Sequence, residues 1–501
     1  MSGSADLARL SELTHRDAAW AGLRVLVTGL GVSGFAAADA LLERGAHVVV
    51  VDAGHGQALQ ERAEILRILD ARLVLGADGA AAVAQPDGVL DGIDLVVTSP
   101  GWRPDNTLLV AAQAAGIPVW GEVELAWRMR PQHDPAPWLT ITGTNGKTTT
   151  VTMLATMLRC AGLRAAAAGN VGTPILEAVL HPEPYDVIAV ELSSFQLHWQ
   201  HSLSPLASVC LNVAPDHVDW HGSFEEYRRA KGKVYTNTVV ACVYNEQDPA
   251  TEQLVVDAEV VEGCRAVAFT LGTPAVSMVG LVDDVLADRA FVPERRTSAA
   301  ELGTLADLAR GGVAPAPHVV ANALAAAALA RAYGVPPVAV REGLRTYVFE
   351  PHRIAPVATS DEITWVDDSK ATNPHAAQAS LAAYEHVVWI AGGLLKGAAV
   401  DDLVAKAAKR LRAVVLMGRD REQIAQALAR HAPDVPVHDV SQTDTEAMDH
   451  VVAAAASYAQ PGDVVLLAPA AASMDMFADY GARGDAFADA VRRHLGEHPV
   501  T

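Results

Sequence analysis

The sequence has few cysteines, few aromatic residues and a shortage of positive charge. Its 501 residues include four cysteines, and its 38 lysines and arginines face 59 aspartates and glutamates, which gives a formal net charge of -21. Four cysteines without CxxC spacing argue against a disulfide framework and favour a reduced, cytoplasmic protein. An acidic chain is also a poor candidate for binding nucleic acid or an anionic membrane, because both attract cationic surfaces.

The sequence also lacks a long apolar run of the kind that spans a membrane. The longest charge-free stretch, Gly311 to Ala330, is mostly alanine and contains two prolines, so it predicts a buried or amphipathic helix preceded by a loop. The N-terminal residues lack the apolar core of a signal peptide. Half of the residues are apolar, which is too large a share for a disordered chain. We therefore expect a globular protein of about three domains.

Short apolar runs alternate with alanine-rich helical stretches along the chain, which is typical of α/β domains with parallel sheets. The proline-rich stretch Pro131–Pro137 and the segment Phe349–Pro356 interrupt this alternation and indicate two boundaries. We predict three α/β domains, at residues 1–132, 133–350 and 351–501.

A glycine-rich turn, Gly29-Leu-Gly-Val-Ser-Gly34, lies between the predicted strand Arg24–Thr28 and a predicted helix that begins at Phe35. Asp52 ends the next predicted strand, 18 residues after Gly34. This spacing matches the dinucleotide-binding fingerprint, in which glycines allow a tight turn and a phosphate lies at the helix N-terminus. The fingerprint does not identify the ligand. The turn could bind NAD, another diphosphate nucleotide or no ligand at all.

A second glycine-rich loop, Gly143-Thr-Asn-Gly-Lys-Thr-Thr149, lies between the predicted strand Trp138–Thr142 and the predicted helix Thr150–Cys160. In such a loop the backbone N–H groups cradle phosphate, Lys147 reaches the β/γ oxygens and Thr148 ligates Mg²⁺. The strict GxxxxGK[ST] pattern fails, because Ile141 stands at its first glycine. The alternative interpretation is a glycine-rich turn that exposes a solvated lysine.

Two further polar groups follow predicted strands of the same region. Glu191 follows DVIAV, and Asp216-His217 follow ASVCLNV, so both lie where parallel sheets place their ligands. A carboxylate and an imidazole near a Lys/Thr phosphate loop suit a magnesium–triphosphate site. Each also has a structural explanation, because a strand-end Glu is often an exposed cap or an ion pair and a lone His is often a core residue.

Taken together, the motifs of this chain resemble those of the Mur ligases, a family of ATP-dependent enzymes that form the amide bonds of the peptidoglycan stem peptide. The resemblance covers essentially the whole chain. Its motifs, in order, are TGTNGKT (142–148), GNVGTP (169–174), ELSSFQL (191–197), NVAPDHVDWH (212–221), YRRAKGKVY (227–235), PHVVANALAAAA (317–328), EPHR (350–353), DDSKATNP (367–374), GGLLKGA (392–398), and APAAASMDMF with YGARG (468–477 and 480–484). The GLGVSG start, DDSKATN and ASMDMF are most similar to the members that add D-glutamate.

The resemblance implies a Rossmann-like N-terminal domain that binds UDP, a central P-loop ATPase domain with a mostly parallel sheet, and a Rossmann-like C-terminal domain that binds the amino acid. It implies that the carboxylate of UDP-N-acetylmuramoyl-L-alanine attacks the γ-phosphate of ATP. The amine of D-glutamate then attacks the acyl phosphate, and phosphate leaves a tetrahedral intermediate. Since a carboxylate and a triphosphate repel one another, two Mg²⁺ ions and several cationic side chains are expected to neutralise both.

The resemblance also assigns residue roles. The implied metal ligands are Thr148, Glu191, His217 and Lys231, the last as a carbamate formed with CO₂. The implied catalytic residues are Lys147, His217, Lys231, Lys370 and Lys396. The implied ATP contacts are Gly143, Thr144, Asn145, Gly146, Lys147, Thr148, Thr149, Asn322, Arg353 and Asp368. The implied UDP-substrate contacts are Gly31, Ser33, Gly34, Asp52, Ser99, Asn170 and His217, with Phe195 as a wall. The implied D-glutamate contacts are Lys370, Thr372, Lys396, Ser473 and Tyr480.

Lys231 is the residue whose interpretation depends most on the resemblance. From the residues alone it is a solvated lysine in the basic run RRAKGK. Carbamylation turns the cation into a carboxylate-like ligand and needs the neutral amine, which burial favours. The family match therefore predicts a buried Lys231.

Three positions depart from the family pattern. Val319 stands where an adenine-contacting Asn is expected, and Gly54 stands near where many members carry an Arg for the UDP diphosphate. Leu394-Leu395 replace an acidic-Gly pair that often precedes the C-terminal lysine. None of these changes removes a metal ligand or the phosphate-loop lysine, so we interpret them as variation within the family.

Three alternative functions compete with this one. The first is a sibling ligase that adds L-alanine to UDP-N-acetylmuramate. The second is an NAD-dependent oxidoreductase that uses Gly29–Gly34 and Asp52, but it leaves Lys147 and Glu191 without a purpose. The third is a non-catalytic nucleotide-binding regulator, which predicts the loss of a metal or phosphate residue, although the sequence retains these residues.

The expected partners are small molecules, namely ATP, UDP-N-acetylmuramoyl-L-alanine and D-glutamate, bound by a monomer that contacts neither nucleic acid nor membrane. All three substrates are anions, whereas the chain is acidic. We therefore expect local binding, by loop amides, Mg²⁺, Lys147, Arg353, Lys370 and Lys396 in an interdomain cleft, because salt screens the charges beyond about 8–10 Å.

Overall fold

The computed structural model describes residues 9–309, 315–349, 351–442 and 447–496. Gly311, at the start of the charge-free stretch, and Glu350, in the EPHR motif and at a predicted domain boundary, lie outside the described residues. The chain forms two compact units. One comprises Met1–Pro315 and Val319–Tyr347, and the other comprises Ala316–His318 and Val348–Thr501.

The first sheet of the larger unit has five parallel strands in the order β3-β2-β1-β4-β5. The strands are β1 (Arg24–Thr28), β2 (His47–Asp52), β3 (Arg72–Leu75), β4 (Leu95–Thr98) and β5 (Val119–Gly121). The helices of this part are Val32–Glu43, Gln57–Ile68, Gly76–Ala84, Thr107–Ala114 and Glu122–Arg128. The strand order reverses between β1 and β4, and sheets of this kind bind ligands beyond the carboxyl ends of the strands at such a point, where the glycine-rich turn follows β1.

The second sheet of this unit has nine strands in the order β14-β13-β12-β11-β10-β9-β6-β8-β7, of which the β12-β13 and β13-β14 pairs are antiparallel. The strands are β6 (Trp138–Thr142), β7 (Ala165–Gly169), β8 (Val187–Glu191), β9 (Ala207–Cys210), β10 (Ala241–Asn245), β11 (Arg265–Phe269), β12 (Met278–Val282), β13 (Val285–Asp288) and β14 (Ala300–Thr304). The helices in this part of the chain are Lys147–Cys160, Ile175–Leu180, Ser194–His198, Val218–His221, Phe224–Gly232, Pro249–Val256, Leu305–Leu308, Pro317–Tyr333 and Pro337–Thr346, with a 3₁₀ turn at Lys233–Tyr235.

The smaller unit contains a six-stranded sheet in the order β15-β16-β20-β17-β18-β19, in which the β15-β16 pair is antiparallel and the other pairs are parallel. The strands are β15 (Ala355–Ser360), β16 (Ile363–Asp367), β17 (Val387–Gly392), β18 (Leu411–Met417), β19 (Val437–Asp439) and β20 (Val464–Leu467). The helices are Pro374–Leu381, Asp401–Ala407, Arg421–His431, Ala447–Tyr458 and Tyr480–His494, with a 3₁₀ turn at Ala408–Arg410.

The structure confirms the predicted α/β class with three mostly parallel sheets. The central strands are buried on both faces, as their apolar sequences predict; Val25, Leu26 and Val27 of β1 are all below 1% exposed. Among the described residues, no helix is long and apolar enough to cross a membrane.

The boundaries of two functional elements differ from the prediction. The helix after the second glycine-rich loop begins at Lys147 and not at Thr150, because Gly146 adopts a left-handed conformation (φ 85°) that turns the chain into the helix at once. Similarly, Glu191 is the last residue of β8 and does not follow the strand.

Candidate active site

The second glycine-rich loop, residues 143–149 and called the phosphate loop after its predicted ligand, follows β6 and includes the first turn of the helix Lys147–Cys160. Gly143 and Gly146 both have positive φ, and a Cβ on Gly146 would lie 2.4 Å from Asn322 Oδ1, so only glycine fits between the loop and that side chain. Asn322, a predicted ATP contact, is buried beside the loop. The Lys147 ammonium donates to the Gly143 and Thr144 carbonyls at 2.9 and 3.0 Å.

Two hydrogen-bonded pairs hold the loop from outside. The Asn145 N–H donates to Asn212 Oδ1 at 2.9 Å, and Asn212 Nδ2 donates to the Asn145 carbonyl at 3.1 Å. The Thr144 hydroxyl lies 2.9 Å from the Tyr227 hydroxyl and accepts the Ala214 N–H at 2.9 Å. Asn212 and Tyr227 lie in two of the family motifs, but the sequence predicts no role for either residue. Their contacts with the loop depend on the tertiary structure.

Lys231 is buried, with 2% of its surface exposed, so its interpretation as a solvated lysine is wrong. Its Nζ donates to the Gly143 carbonyl at 2.7 Å. Since Lys147 donates to the same oxygen, the two amines lie close together. Burial, together with the nearby charge of Lys147, lowers the pKa of the Lys231 amine to about 7. A large share of this amine is therefore neutral at physiological pH, which is the form that reacts with CO₂.

Glu191 is also buried, with 1% of its surface exposed, so it is not an exposed cap. It pairs in register with Ile141 of β6 and with Gly169 of β7. Its Oε1 accepts a hydrogen bond from Asn170 Nδ2 at 2.9 Å, which joins a predicted metal ligand to a predicted substrate contact. Its Oε2 is buried and has no hydrogen-bond partner within the described part of the chain.

His217 lies on the exposed side of this region with a left-handed backbone (φ 49°). Partial burial lowers the pKa of its imidazole, although the charge of Asp216 opposes this shift, and the lowered pKa favours the neutral form that ligates a metal. Its ring packs edge-on against Phe195, with 4.8 Å between the centroids, and Phe195 also contacts Trp220 at 4.6 Å. Phe195 thus lies between the rings of His217 and Trp220, and its role as a wall of the substrate site stays a prediction.

These residues fit a divalent cation by the chemistry of their donors. A buried carboxylate oxygen without a partner is costly unless a ligand completes it, and a hard oxygen donor suits Mg²⁺. The hydroxyl of Thr149 in the phosphate loop is likewise buried without a hydrogen-bond partner in the described ranges. Among the described residues, no three His, Cys, Asp or Glu side chains are grouped so as to hold a metal by themselves. A complete ligand set here therefore needs donors of other kinds, such as hydroxyls, phosphates or a modified lysine.

The glycine-rich turn after β1 is built by close approach of backbones. A Cβ on Gly34 would lie 1.8 Å from the Gly29 carbonyl, so the helix packs directly on the turn. The Asp52 carboxylate accepts the N–H groups of Leu30 and Gly54, both at 2.6 Å. The structure therefore uses Asp52 to hold its own turn, an internal role that the sequence did not predict. Ser99 lies opposite, where its hydroxyl donates to the Gly29 carbonyl at 3.4 Å.

Ser33 and Gly31 lie at the start of the helix Val32–Glu43, for which Gly31 is the N-cap residue. Gly31 is exposed and Ser33 is half-buried. Gly54 has no side chain that could bind a diphosphate. A guanidinium is nevertheless present near the turn, because Arg62 donates a hydrogen bond to the Leu30 carbonyl at 3.4 Å. The predicted UDP contacts of this part of the chain thus lie at one edge of the first sheet: Gly31, Ser33 and Gly34 after β1, Asp52 at the end of β2, and Ser99 after β4.

In the smaller unit, the structure brings together Lys370 and Tyr480, with the Lys370 ammonium 5.4 Å from the centroid of the tyrosine ring. The loop that carries Lys370 is fixed by Arg483, a buried residue that donates to the Ser369 hydroxyl at 2.9 Å and to the Ser369 carbonyl at 2.8 Å. The Ser369 hydroxyl in turn donates to the Tyr480 carbonyl at 2.7 Å. Sequence reasoning missed Arg483, because an arginine in a helix is usually solvated.

The other predicted site residues of this unit differ in their burial and in their hydrogen bonds. Asp368 is buried, and burial raises the pKa of its carboxyl to about 7 although it accepts from the Ser380 hydroxyl. Ser473 is buried, Thr372 and Arg353 are half-buried, and Lys396 is exposed with a left-handed backbone (φ 53°). Leu395, at one of the departures from the family pattern, is buried and its N–H donates to Asp420 Oδ2 at 2.8 Å. Val319, another departure, is also buried.

Comparison with known proteins gives three family matches. The chain matches the Mur ligase MurD-like N-terminal domain at residues 23–121, the Mur ligase middle domain at residues 141–330 and the Mur ligase glutamate ligase domain at residues 352–471.

Similar full-length relatives are named UDP-N-acetylmuramoylalanine–D-glutamate ligase. The one from Streptomyces avermitilis is 58% identical over 94% of this chain and 98% of its own length. The one from Thermobifida fusca is 58% identical over 95% of this chain and 99% of its own length. The one from Mycolicibacterium smegmatis is 46% identical over 95% of this chain and 97% of its own length.

Two solved structures share the fold at low identity. The UDP-N-acetylmuramate-alanine ligase MurC of Thermotoga maritima is 19% identical, with a TM-score of 0.52 over 95% of this chain and 100% of that chain. A pseudomurein peptide ligase type C of Methanothermus fervidus is 17% identical, with a TM-score of 0.55 over 94% of this chain and 100% of that chain. At these identities the similarity establishes the fold and no more.

Proposed function

Because the chain belongs to the Mur ligase family, we propose that it adds D-glutamate to UDP-N-acetylmuramoyl-L-alanine at the expense of ATP, in the synthesis of peptidoglycan precursors. The observation that carries the proposal is the 58% identity over 94% of the chain to a relative named for this reaction. ATP and UDP-sugars are cytoplasmic metabolites, so the reaction takes place in the cytoplasm. The predicted domains at 1–132, 133–350 and 351–501 would bind UDP, ATP and the amino acid, in that order.

The phosphate loop supplies the ATP site of this proposal. The helix Lys147–Cys160 directs its first N–H groups, and the positive end of its dipole, toward the loop. Lys147 adds a full positive charge, which opposes the charge that develops on the transferred phosphoryl group. Asn212 and Tyr227 keep the loop in place through Asn145 and Thr144, so these residues are positioning residues for ATP.

Magnesium, when bound, neutralises the triphosphate and the attacking carboxylate so that the two anions can meet. Glu191 through its unpaired Oε2, Thr148, His217 and Lys231 are the residues proposed to hold it at two sites. Lys231 joins this set by reaction of its neutral amine with CO₂, which gives a carbamate and releases one proton. Burial beside Lys147 supports this chemistry, because it favours the neutral amine.

The acyl acceptor of the second step is the amine of D-glutamate, which carries two carboxylates. Two carboxylates need several cations and donors for their recognition. Lys370 and Tyr480, which contact one another, are proposed for this role together with Thr372, Lys396 and Ser473. The ammonium group of D-glutamate loses one proton to become the attacking amine and a second as the amide forms, and phosphate leaves with the electrons of the broken acyl–oxygen bond.

The test is ATP-dependent phosphate release with each pair of UDP-sugar and amino acid. Release with UDP-N-acetylmuramoyl-L-alanine plus D-glutamate, and an amide product of the corresponding mass, is the expected result. Release with UDP-N-acetylmuramate plus L-alanine alone would identify the sibling ligase instead. A change in NADH absorbance without phosphate release would support the oxidoreductase. Size-exclusion chromatography with light scattering tests the proposed monomer.

A further inference from the structure

His217, a proposed metal ligand, has a backbone conformation that few residues other than glycine adopt. Its φ of 49° lies in the left-handed region, where the Cβ crowds the neighbouring backbone. Such a conformation persists only where the surrounding structure holds it in place. His217 is also the N-cap residue of the helix Val218–His221, whose four residues are too few for a helix that is stable by itself. The position of His217 therefore depends on the contacts of this short helix.

His221 holds His217 from the other end of the same helix. The N–H groups of His221 and Trp220 both donate to the His217 carbonyl, each at 3.1 Å. The imidazole of His221 is engaged elsewhere, since its Nε2 is hydrogen-bonded to the Ser194 hydroxyl at 3.0 Å. Ser194 is buried, with 3% of its surface exposed, and begins the helix Ser194–His198. His221 thus connects the left-handed residue to a second segment of the chain.

This second segment begins at another proposed metal ligand. Glu191 ends β8, and Ser194 follows it by three residues. Phe195 packs against the His217 ring, with 4.8 Å between the centroids, and stacks on the His221 ring at 5.7 Å. Apolar contacts are less directional than a hydrogen bond, which has a preferred distance and angle. The hydrogen bond between Ser194 and His221 is therefore the contact that best defines how the two segments are placed.

We propose that His221 is a positioning residue, whose hydrogen bond to Ser194 sets the position of His217 relative to Glu191. The proposed Mg²⁺ ions bring the triphosphate and the attacking carboxylate together, so their ligands on the two segments need a fixed relative position. Residues that orient metal ligands without touching the metal contribute strongly to metal affinity. His221 acts in this way on the backbone that carries His217. This inference rests on the proposed function.

Three substitutions separate the hydrogen bond of His221 from its ring. Partial burial lowers the pKa of the His221 imidazole to about 4, so the ring is neutral at pH 7. His221→Gln supplies a neutral amide in reach of the Ser194 hydroxyl but lacks the ring. His221→Phe keeps a ring for the contact with Phe195 but lacks the hydrogen bond. Ser194→Ala removes the same hydrogen bond from the other side.

His198 offers a matched control in the same group of rings. Its imidazole packs edge-on against the Trp220 ring, with 5.4 Å between the centroids. Burial lowers the pKa of His198 to about 4 as well. His198→Phe therefore replaces a neutral imidazole by a phenyl ring, as His221→Phe does, but it leaves the bond between Ser194 and His221 intact.

The experiment measures the Kd of Mn²⁺, used in place of Mg²⁺, from the paramagnetic resonance of unbound Mn²⁺ titrated into the protein alone and with ADP. It also measures Tm, the KM of D-glutamate and the Mg²⁺ concentration that gives half-maximal phosphate release. For His221→Phe and Ser194→Ala we expect both metal parameters to rise by about tenfold, with the KM of D-glutamate unchanged. The double variant should be no weaker than either single variant, because all three lack one bond. His221→Gln should keep most of the affinity, and His198→Phe should match the wild type.

Four results would overturn the inference. The first is a folded His221→Phe or Ser194→Ala with the Mn²⁺ affinity of the wild type. The second is an additive loss in the double variant, which would show that the two side chains act separately. The third is an equal loss in His198→Phe, and the fourth is a loss in His221→Gln as large as in His221→Phe. If His221→Phe does not fold, Ser194→Ala decides. A wild type that binds Mn²⁺ but releases no phosphate with the proposed substrates contradicts the proposed function instead.

Discussion

At the scale of single residues, burial changes the chemistry of ordinary charged side chains. Lys231 and Glu191 both carry groups that water would solvate, yet both are almost fully buried next to the phosphate loop. The lysine amine becomes partly neutral, and one carboxylate oxygen of the glutamate is left without a hydrogen bond. Each property is unfavourable for stability and useful for binding a metal, which is typical of functional sites.

Lys231→Ala should lower kcat by at least about 100-fold, because it removes the proposed carbamate ligand. Added short carboxylates should restore part of the rate by occupying the vacated position. Wild-type protein in ¹³C-bicarbonate should show a carbamate resonance that the variant lacks. Lys233→Ala is the matched control, since this neighbouring lysine donates to the His198 carbonyl at 2.8 Å. A near-normal kcat in Lys231→Ala would show that the carbamate assignment is wrong.

Glu191→Gln should raise the Mg²⁺ concentration that gives half-maximal activity by about 10- to 100-fold. The amide keeps the size of the side chain and its place beside Asn170, but it removes the negative charge that attracts the cation. The measurement is the rate of phosphate release against free Mg²⁺ at constant ATP. Glu183→Gln, at an exposed position on the connection before β8, serves as the control. Equal Mg²⁺ dependence in both variants would exclude Glu191 as a ligand.

At the scale of elements, two glycine-rich segments each connect a strand to a helix, and in both cases a glycine lets the helix begin close to the sheet. Gly146 does so by its left-handed backbone, and Gly34 by the absence of a Cβ against the Gly29 carbonyl. The helix N-termini thereby lie at the carboxyl ends of β1 and β6, where a phosphate is favoured. Local sequence is sufficient to predict these elements, since the residues that interact are close along the chain.

Gly34→Ala should raise the Kd of UDP by about tenfold or more, because the new methyl group would meet the Gly29 carbonyl and displace the turn. It should also lower Tm. Calorimetry with UDP and thermal unfolding are the two measurements. Gly272→Ala should leave both unchanged, since a Cβ there meets its nearest atom at 3.5 Å. Unchanged UDP affinity in Gly34→Ala would show that the turn does not bind the nucleotide.

At the scale of the whole molecule, the net charge of -21 opposes the binding of three anionic substrates. The cations proposed to bind the substrates, such as Lys147 and Lys370, must overcome this repulsion locally. The range of the opposing field depends on salt, because the screening length falls from about 30 Å at 0.01 M to about 8 Å at 0.15 M. Net charge thus influences the approach of the substrates more than their final contacts.

Raising the salt concentration from about 0.01 M to about 0.15 M should therefore increase kcat/KM for the UDP-substrate by about twofold or more. Long-range repulsion is screened in this interval, whereas contacts of a few ångströms in a partly buried site are screened much less. The measurement is the initial rate at low substrate concentration, with free Mg²⁺ held constant. A steady fall of kcat/KM with salt would show that attraction by local cations dominates at long range as well.

The sequence by itself determined the α/β class, the two glycine-rich turns between a strand and a helix, and the order of the family motifs, because each depends on residues that are neighbours along the chain. Only the tertiary structure decided that Lys231 is buried, that Glu191 has an unpaired oxygen and that Asp52 holds its own turn. These properties depend on partners that are far apart in sequence. Burial and hydrogen bonding are set by which surfaces the fold brings together, and the composition of a local segment does not contain that information.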